Sequence, residues 1–518
     1  MVRAVILHPW PALEHAAKAW PDADALVFPH QTARRSFAQY REESLALAGA
    51  LSARGIGAGD HVALLAENRV EWAVVQMACA AAGFVFVPLN THYRKDDLAY
   101  ALKQSDSKAL ICSTQYRSNP YLENVTALRP ALPLLEHVFT LEDDYPRLVA
   151  EALAFTPVEP DPSAVAALLY TSGTTGFPKG ALLSHRAMMM VGSNSATRLG
   201  LSAGDRWTSI IPLFHCAGCI LNLLGILSHG AAYVGVPSFD PETMFRIIEA
   251  ERCTHLSGVP TSYLAMLDHP ARNGYDLTSL KAGSCGGADC NPDVLRRCAE
   301  DFPMPGLSQV YGQTEGGTLF ACPEHDDALR WETAGRPLPD YELRIVHPET
   351  LAVLPAGEIG EIQARGAMVM EGYYNKPEAT AETIIDGNWL RTGDLGYLRK
   401  DGRLTVAGGR LRDMIIRGGE NIYPAEIENV LQQHDAVAEV AVFGVPDDYY
   451  GEIVGAAVKL ARPVAAHELQ SLCGSRIAKF KVPAVIFAVE RFPLTPSGKI
   501  RKVELRDWAR DNRMEKLA

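Results

Sequence analysis

Residues 170–180 read YTSGTTGFPKG, which places three glycines, a lysine and a cluster of Ser/Thr hydroxyls between two apolar runs. The run Ala164–Tyr170 stops abruptly at this stretch, and Ala181-Leu182-Leu183 follows it. The pattern reads as a buried strand entering an exposed loop. Glycines let a backbone approach a ligand closely, because no Cβ intervenes. Successive N–H groups, hydroxyls and an ammonium are all donors to phosphate oxygens. A Gly/Ser/Thr cluster alone is usually a flexible turn. The common P-loop is excluded, since its G-x-x-x-x-G-K-[ST] spacing is not present here. The stretch predicts a phosphate-facing loop of another type.

Five further stretches carry candidate site chemistry. In Tyr311-Gly312-Gln313-Thr314-Glu315-Gly316-Gly317 a ring can stack on a base, a hydroxyl can donate to phosphate and a carboxylate can hold Mg²⁺ through water. Asp394, between Gly393 and Gly396, is a residue type that accepts from ribose hydroxyls, although glycine-flanked Asp is also a turn former. Gly409-Arg410-Leu411-Arg412-Asp413 is a charged stretch that could be a plain linker. Pro493–Lys502 is a Pro/Gly-rich loop with a cationic tip at Lys499, of a kind that is often only solvated surface. Pro212-Leu213-Phe214-His215-Cys216-Ala217-Gly218 is an apolar stretch holding one histidine, more often a packed ring than a functional group.

These loops need a scaffold of more than one core, and 518 residues supply it. From Phe37 to Ser113 and again from Ala164 to Ser308, short apolar strands alternate with amphipathic helices, as in parallel sheets covered by helices. The spacing predicts helices over 37–51, 70–81 and 95–104, and strands over 61–66, 84–89 and 109–113. Residues 333–365 are richer in short strands and turns. A composition break near Gly408-Gly409 precedes a compact tail. There Pro424 opens a helix, 436–443 and 452–460 pair as strands, and 467–478 forms a second helix. The expected class is α/β: a large N-terminal domain (1–411) of helix-covered sheets plus a small β region, and a small mobile α+β C-terminal domain (412–518).

Apolar content of 47% and charged content of 21% are those of a globular enzyme, and a net charge of −12 argues against a general nucleic-acid binder. The ten cysteines are scattered without metal-ligand spacing, and Cys216-Ala217-Gly218-Cys219 has no second pair. Reduced thiols and a cytoplasmic setting are expected, because the N-terminal run MVRAVILHPW is too short for a signal or a span.

The joint order of these motifs resembles that of the adenylate-forming ligases: acyl-CoA synthetases, nonribosomal adenylation domains and firefly-type luciferases. The resemblance covers Phe37 to Lys502, and Gly418–Glu428 is most similar to the acyl-CoA synthetase branch. It implies a two-step reaction, in which ATP and a carboxylic acid give an acyl-adenylate and CoA then displaces AMP. It further implies that Thr171, Ser172, Gly173, Thr174, Thr175, Gly176 and Lys179 wrap the β- and γ-phosphates. Tyr311 would stack on adenine beside the backbone of Gly286, Gly287 and Ala288. Thr314 would donate to the α-phosphate, Glu315 would hold Mg²⁺, and Asp394 would take the ribose with Arg410 beside it. Lys499 would bridge the α-phosphate region as the catalytic lysine of the first step. Acylating Lys499 would remove that charge. Arg412 occupies the hinge position, Gly418 and Gly419 would line the pantetheine tunnel of CoA, and His215 would gate the carboxylate from the thiol.

The pocket implied by the same resemblance includes His215, Ala217, Gly218, Gly286 and Val310. This chain departs from the usual pattern at Arg412 (Lys or Asp), Asp289 (Pro or apolar) and Val310 (Gly in many long-chain enzymes). A Val side chain narrows a tunnel, so the expected acid is short- to medium-chain, branched, alicyclic or aryl. The expected partners are a small-molecule acid and CoA, with no nucleic acid and no membrane span, and a homodimer is a candidate assembly. Competing readings are a stand-alone enzyme loading a carrier protein, a non-catalytic nucleotide- or acyl-binding relative and, on base rates the least favoured, a luciferase-type oxidase. Retention of Thr314, Glu315, Asp394, Arg410 and Lys499 argues against the non-catalytic relative.

Overall fold

The computed structural model describes residues 6–171, 178–287, 290, 292–348, 350–410, 415–422, 424–493, 500 and 502–517. Contacts divide the chain into two units. The first comprises 1–91, 101–170 and 180–409; the second comprises 92–100, 171–179 and 410–518.

The first unit is built on two seven-stranded sheets and a smaller antiparallel one. One large sheet runs in the order 306–309, 282–285, 255–258, 206–209, 232–234, 24–28, 33–36. Its strands pair in parallel except for the terminal hairpin 24–28/33–36. Parallel register sends the carboxyl ends of 206–209, 255–258, 282–285 and 306–309 out of one edge, where Ser209 lies beside Ser257 and Gly258 beside Cys285. Open parallel sheets bind ligands at that edge. The second large sheet carries Val165–Thr171 and Lys179–Ser184, the strands on either side of the glycine-rich loop. The smaller sheet holds Tyr341–Val346, Gly360–Gly366 and Trp389–Leu398 in antiparallel register.

Local signals set most element ends. Ser36 and Gln39 form a complete capping box ahead of the helix Phe37–Ser52. The helix Val70–Ala82 stops at Gly83, whose φ of 69° needs no Cβ. The helix Lys95–Gln104 has the ends its pattern predicts. At the N-terminus the sequence reading saw only a short run broken by Pro9. The structure instead starts the helix Pro9–Ala19 there, because Pro is preorganised for a first turn and the His8 ring accepts from the Trp10 N–H.

In the second unit, Val437–Asp447 pairs antiparallel with Gly451–Leu460, and Val485–Ala488 adds in parallel. Pro424 opens the helix Pro424–Leu431, which packs its Ile427 and Leu431 into this unit's own core with Leu469 and Cys473. None of the ten cysteines is in a disulfide. Among the described residues no helix is long and apolar enough to cross a membrane.

The N-terminal helix carries a titration consequence. His8 and His185 are buried and stack at 3.8 Å, and burial pushes them down to about 4 and about 3. Burial likewise lowers His255 to about 4. Each ring must lose its proton to fold, so below pH 6.5 the unfolded chain binds more protons than the folded one. Stability is therefore full above pH 6.5 and falls with acidification towards pH 4. About 2 kcal/mol per histidine is expected to be lost between pH 7 and pH 5. Thermal midpoints across that range check this, and His185→Gln should flatten the profile.

Candidate functional site

The carboxyl edge of the first large sheet gathers the predicted residues of the first unit. The strand Ala282–Cys285 leads into Gly286 and Gly287, and Gly306–Gln309 leads into Val310 and Tyr311. The Val310 N–H donates to the Cys285 carbonyl at 2.9 Å. A Cβ on Gly286 would stand 2.8 Å from Val310 Cγ2 and from the Val310 carbonyl oxygen. Gly286 is thus required for Val310 to lie against it, and Val310 fills the space that a side chain at 286 would take. Both residues are buried, whereas Gly287 is exposed with a φ of 81°.

The predicted adenine and ribose residues meet. The Tyr311 hydroxyl donates to Asp394 Oδ2 at 2.9 Å, across 83 positions of sequence. Asp394 is carried by the strand Trp389–Leu398, and its own N–H donates to Thr392 Oγ1. Beside it Arg391 is held by both oxygens of the buried Glu361, at 3.0 and 2.9 Å from Oε2 and 3.3 Å from Oε1. Sequence reasoning passed over Glu361, which also accepts from the Gly393 N–H.

Thr314 and Glu315 open a short 3₁₀ turn, Thr314–Gly316. Glu315 is only 7% exposed, and Tyr373 donates to its Oε1 at 2.7 Å. Tyr373 pairs with Ala181 in the strand that leaves the glycine-rich loop. Nothing in the spacing singled out Tyr373; the only signal was two adjacent tyrosines after Gly372.

His215 sits at the head of a tight turn. Its carbonyl accepts from both the Gly218 and Cys219 amides. The Ala217 N–H donates to His215 Nδ1 at 3.2 Å, so the neutral ring carries its proton on Nε2. Residues Ala217–Asn222 then form a π-helical turn, a form common at functional sites. A Cβ on Gly218 would lie 2.4 Å from the Pro212 carbonyl oxygen, so only glycine closes this turn. Two buried amides brace it: Asn68 Oδ1 accepts from the Leu213 N–H at 2.8 Å, and Gln76 Nε2 donates to the Cys219 carbonyl at 3.1 Å. Ala217 is half-buried.

Cys216 links this turn to the Thr314 turn. Thr314 Oγ1 donates to its sulfur at 3.4 Å, and His215 Nδ1 lies 3.7 Å from the same atom. Burial pushes the thiol up, but the His215 ring and the Thr314 and Thr318 hydroxyls outweigh it and leave the thiol below its ordinary value.

In the second unit Thr171 ends its strand, Lys179 begins the next and is 8% exposed, and Arg410 ends the strand Leu404–Arg410. Gly418 and Gly419 turn between the strands Ile415–Arg417 and Glu420–Ile422 with φ of 57° and 84°, and the Gly418 N–H donates to the Tyr450 carbonyl. The predicted residues Ser172, Gly173, Thr174, Thr175, Gly176, Ala288, Arg412 and Lys499 lie outside the described residues.

A parallel-sheet edge bearing a Tyr–Asp pair, a Thr–Glu turn and a histidine turn offers a ring, carboxylates and a hydroxyl of the kinds that suit a nucleotide. Residues 13–374 match the AMP-binding enzyme family and 426–499 match the AMP-binding enzyme C-terminal domain. The chain belongs to that family. YngI of Bacillus subtilis, provisionally named an acyl-CoA synthetase, is 40% identical over 526 residues, 96% of each chain. The mitochondrial medium-chain acyl-CoA ligase ACSF2 of Mus musculus is 33% identical over 534 residues, covering 96% of this chain and 86% of its own. Among solved structures, the o-succinylbenzoate CoA synthetase MenE of Bacillus subtilis superposes with a TM-score of 0.85 at 31% identity, over 98% of this chain and 99% of its own. Within its family the chain is an AMP-forming, ATP-dependent carboxylic acid–CoA ligase.

Proposed function

We propose that this ligase activates acids of medium size: short- to medium-chain, branched, alicyclic or aryl. The observation that carries the reading is Val310 packed against Gly286 at the sheet edge, where a smaller residue would leave a longer channel. The medium-chain name of the ACSF2 relative is in keeping with it.

In the proposed reaction the acid and ATP meet at the carboxyl edge of the first sheet. Tyr311 faces the adenine, while Asp394 takes the ribose hydroxyls and is oriented by Tyr311. Thr314 donates to the α-phosphate, and Lys499 and the loop 171–179 neutralise charge on the α-phosphate and the departing pyrophosphate. His215, with its proton on Nε2, gates the acyl carboxylate from the incoming thiol. Gly418 and Gly419 line the CoA path. The mobile part is 412–518, with its hinge at Arg412.

Mg²⁺ bound mainly by phosphate oxygens and water needs few protein ligands. Glu315 suits that need, since it is a single buried carboxylate whose Oε1 is fixed by Tyr373, and no cluster of three acidic, His or Cys groups surrounds it among the described residues. When bound, the ion would neutralise charge on the leaving pyrophosphate.

The test is CoA-dependent AMP release across acetate to palmitate, benzoate, cyclohexanecarboxylate and malonate. Turnover peaking at octanoate or the cyclic acids supports the reading, and a peak at palmitate overturns it. Val310→Gly should shift the optimum by about two to four carbons towards longer chains and raise kcat/KM for myristate at least about tenfold. Unchanged selectivity would remove the role given to Val310.

A further inference from the structure

We propose that Cys216 is a positioning residue for adenylation, whose sulfur sets the direction of the Thr314 hydroxyl and couples it to the His215 ring. The proposal rests on the reading of Thr314 as the α-phosphate donor. Its first ground is geometry. The Cys216 sulfur stands between two groups of the site, accepting from Thr314 Oγ1 at 3.4 Å and lying 3.7 Å from His215 Nδ1. That nitrogen accepts from the Ala217 N–H, so it carries no proton, and any hydrogen shared across the 3.7 Å contact is the thiol's, competing with that N–H for the one lone pair. The chain of donation runs hydroxyl to sulfur to imidazole.

The second ground is independent of those bonds. Thr318 has a φ of 121°, a conformation that β-branched residues scarcely adopt. Such strain persists only where the surroundings over-determine it, and it gathers at functional sites. Thr318 is 4% exposed, and its buried hydroxyl makes no hydrogen bond yet helps to hold the Cys216 thiol below its ordinary value. The strained turn therefore holds a second hydroxyl near the sulfur that orients Thr314.

Sulfur suits the task because it is a weak acceptor. It gives the Thr314 hydroxyl a resting direction yet yields it to a phosphate oxygen, whose charge makes a bond roughly twice as strong. A carboxylate at 216 would compete with the phosphate for the same proton. An alanine would leave the hydroxyl undirected.

The experiment is ATP–pyrophosphate exchange with octanoate as the acid, in the full chain. Cys216→Ala should lower kcat about tenfold with KM for ATP and octanoate changed less than about twofold, because orientation of a pre-bound donor is lost rather than binding. Cys216→Ser, which keeps an acceptor, should return the rate to within about threefold of the parent. In a Thr314→Ala background Cys216→Ala should cost less than about twofold, because it acts through a hydroxyl no longer present. Multiplicative losses in the double variant, or equal losses for Ser and Ala, overturn the proposal. If Thr314→Ala exchanges at the parent rate, the reading of Thr314 falls first and takes the proposal with it, so the two failures are distinct. If Cys216→Ala does not fold, Cys216→Val, which fills the site without an acceptor, takes its place with the same expectations.

Discussion

Lys499→Ala is expected to lower acid-dependent ATP–pyrophosphate exchange by about two to three orders of magnitude. The reason is charge. Adenylation brings a carboxylate against a polyanionic phosphate, and both must be neutralised as the new bond forms. The predicted residues that the first unit brings to its sheet edge supply two carboxylates, Glu315 and Asp394, and only neutral groups besides: Tyr311, Thr314 and His215. Arg391 lies close in sequence, but both oxygens of Glu361 hold it. In the proposed reaction the compensating charge comes from Lys499, from the lysine of the loop 171–179 and from Mg²⁺ where it binds. Loss of one such charge removes stabilisation that develops only in the transition state, so kcat should fall and KM for ATP should change little. CoA thiolysis of a preformed acyl-adenylate, in which no anion attacks a phosphate, should stay within about fivefold of the parent. An exchange rate above about a tenth of the parent would take the catalytic role away from Lys499.

Glu426→Ala should open the second unit. Lys481 is 4% exposed, and its ammonium meets both oxygens of Glu426, at 2.6 and 2.8 Å. Glu426 is 9% exposed in the helix Pro424–Leu431. Burying two charges gains little net energy when they are paired, but removing Glu426 leaves the buried ammonium only the more distant Asp97, at 4.0 Å. The expected cost is about 3–5 kcal/mol. Hydrogen exchange of the Val437–Asp447 and Gly451–Leu460 amides in the full chain should accelerate by about two to four orders of magnitude. Glu426→Ala combined with Lys481→Met should recover most of the loss, since Asp97, the third charged group of the cluster, is pushed up to about 7 by burial and can take a proton once the ammonium is gone. A single-variant cost below about 1 kcal/mol would mean that water reaches the ammonium.

What the sequence revealed follows from range. The helix Lys95–Gln104, the start of a helix at Pro424 and the pairing of 437–447 with 451–460 all rest on patterns within a dozen or so residues, and these were legible. The resemblance named candidate members of the site but not the bonds between them. The Tyr311–Asp394 bond spans 83 positions and the Tyr373–Glu315 bond spans 58, and no local pattern encodes either. The π-helical turn Ala217–Asn222 was illegible for another reason. An apolar stretch with one glycine reads equally as α-helix or strand, and the widened turn depends on Gly218 meeting the Pro212 carbonyl and on bracing by Asn68 and Gln76. Cys216 looked like half of an idle C-x-x-C, because its use is visible only once Thr314 is folded against it.

The ten thiols amount to a built-in clock. Nine are buried and Cys290 is partly so, so a thiol-reactive probe can label the protein at nine positions only when the chain opens. Their distribution is uneven: Cys473 alone falls in the second unit, and the other nine fall in the first. Mass mapping of the modified cysteines over time would therefore yield two opening rates from one untagged sample. The Glu426→Ala variant should speed only the Cys473 hand of that clock, and mild acid should speed the eight buried thiols of the first unit.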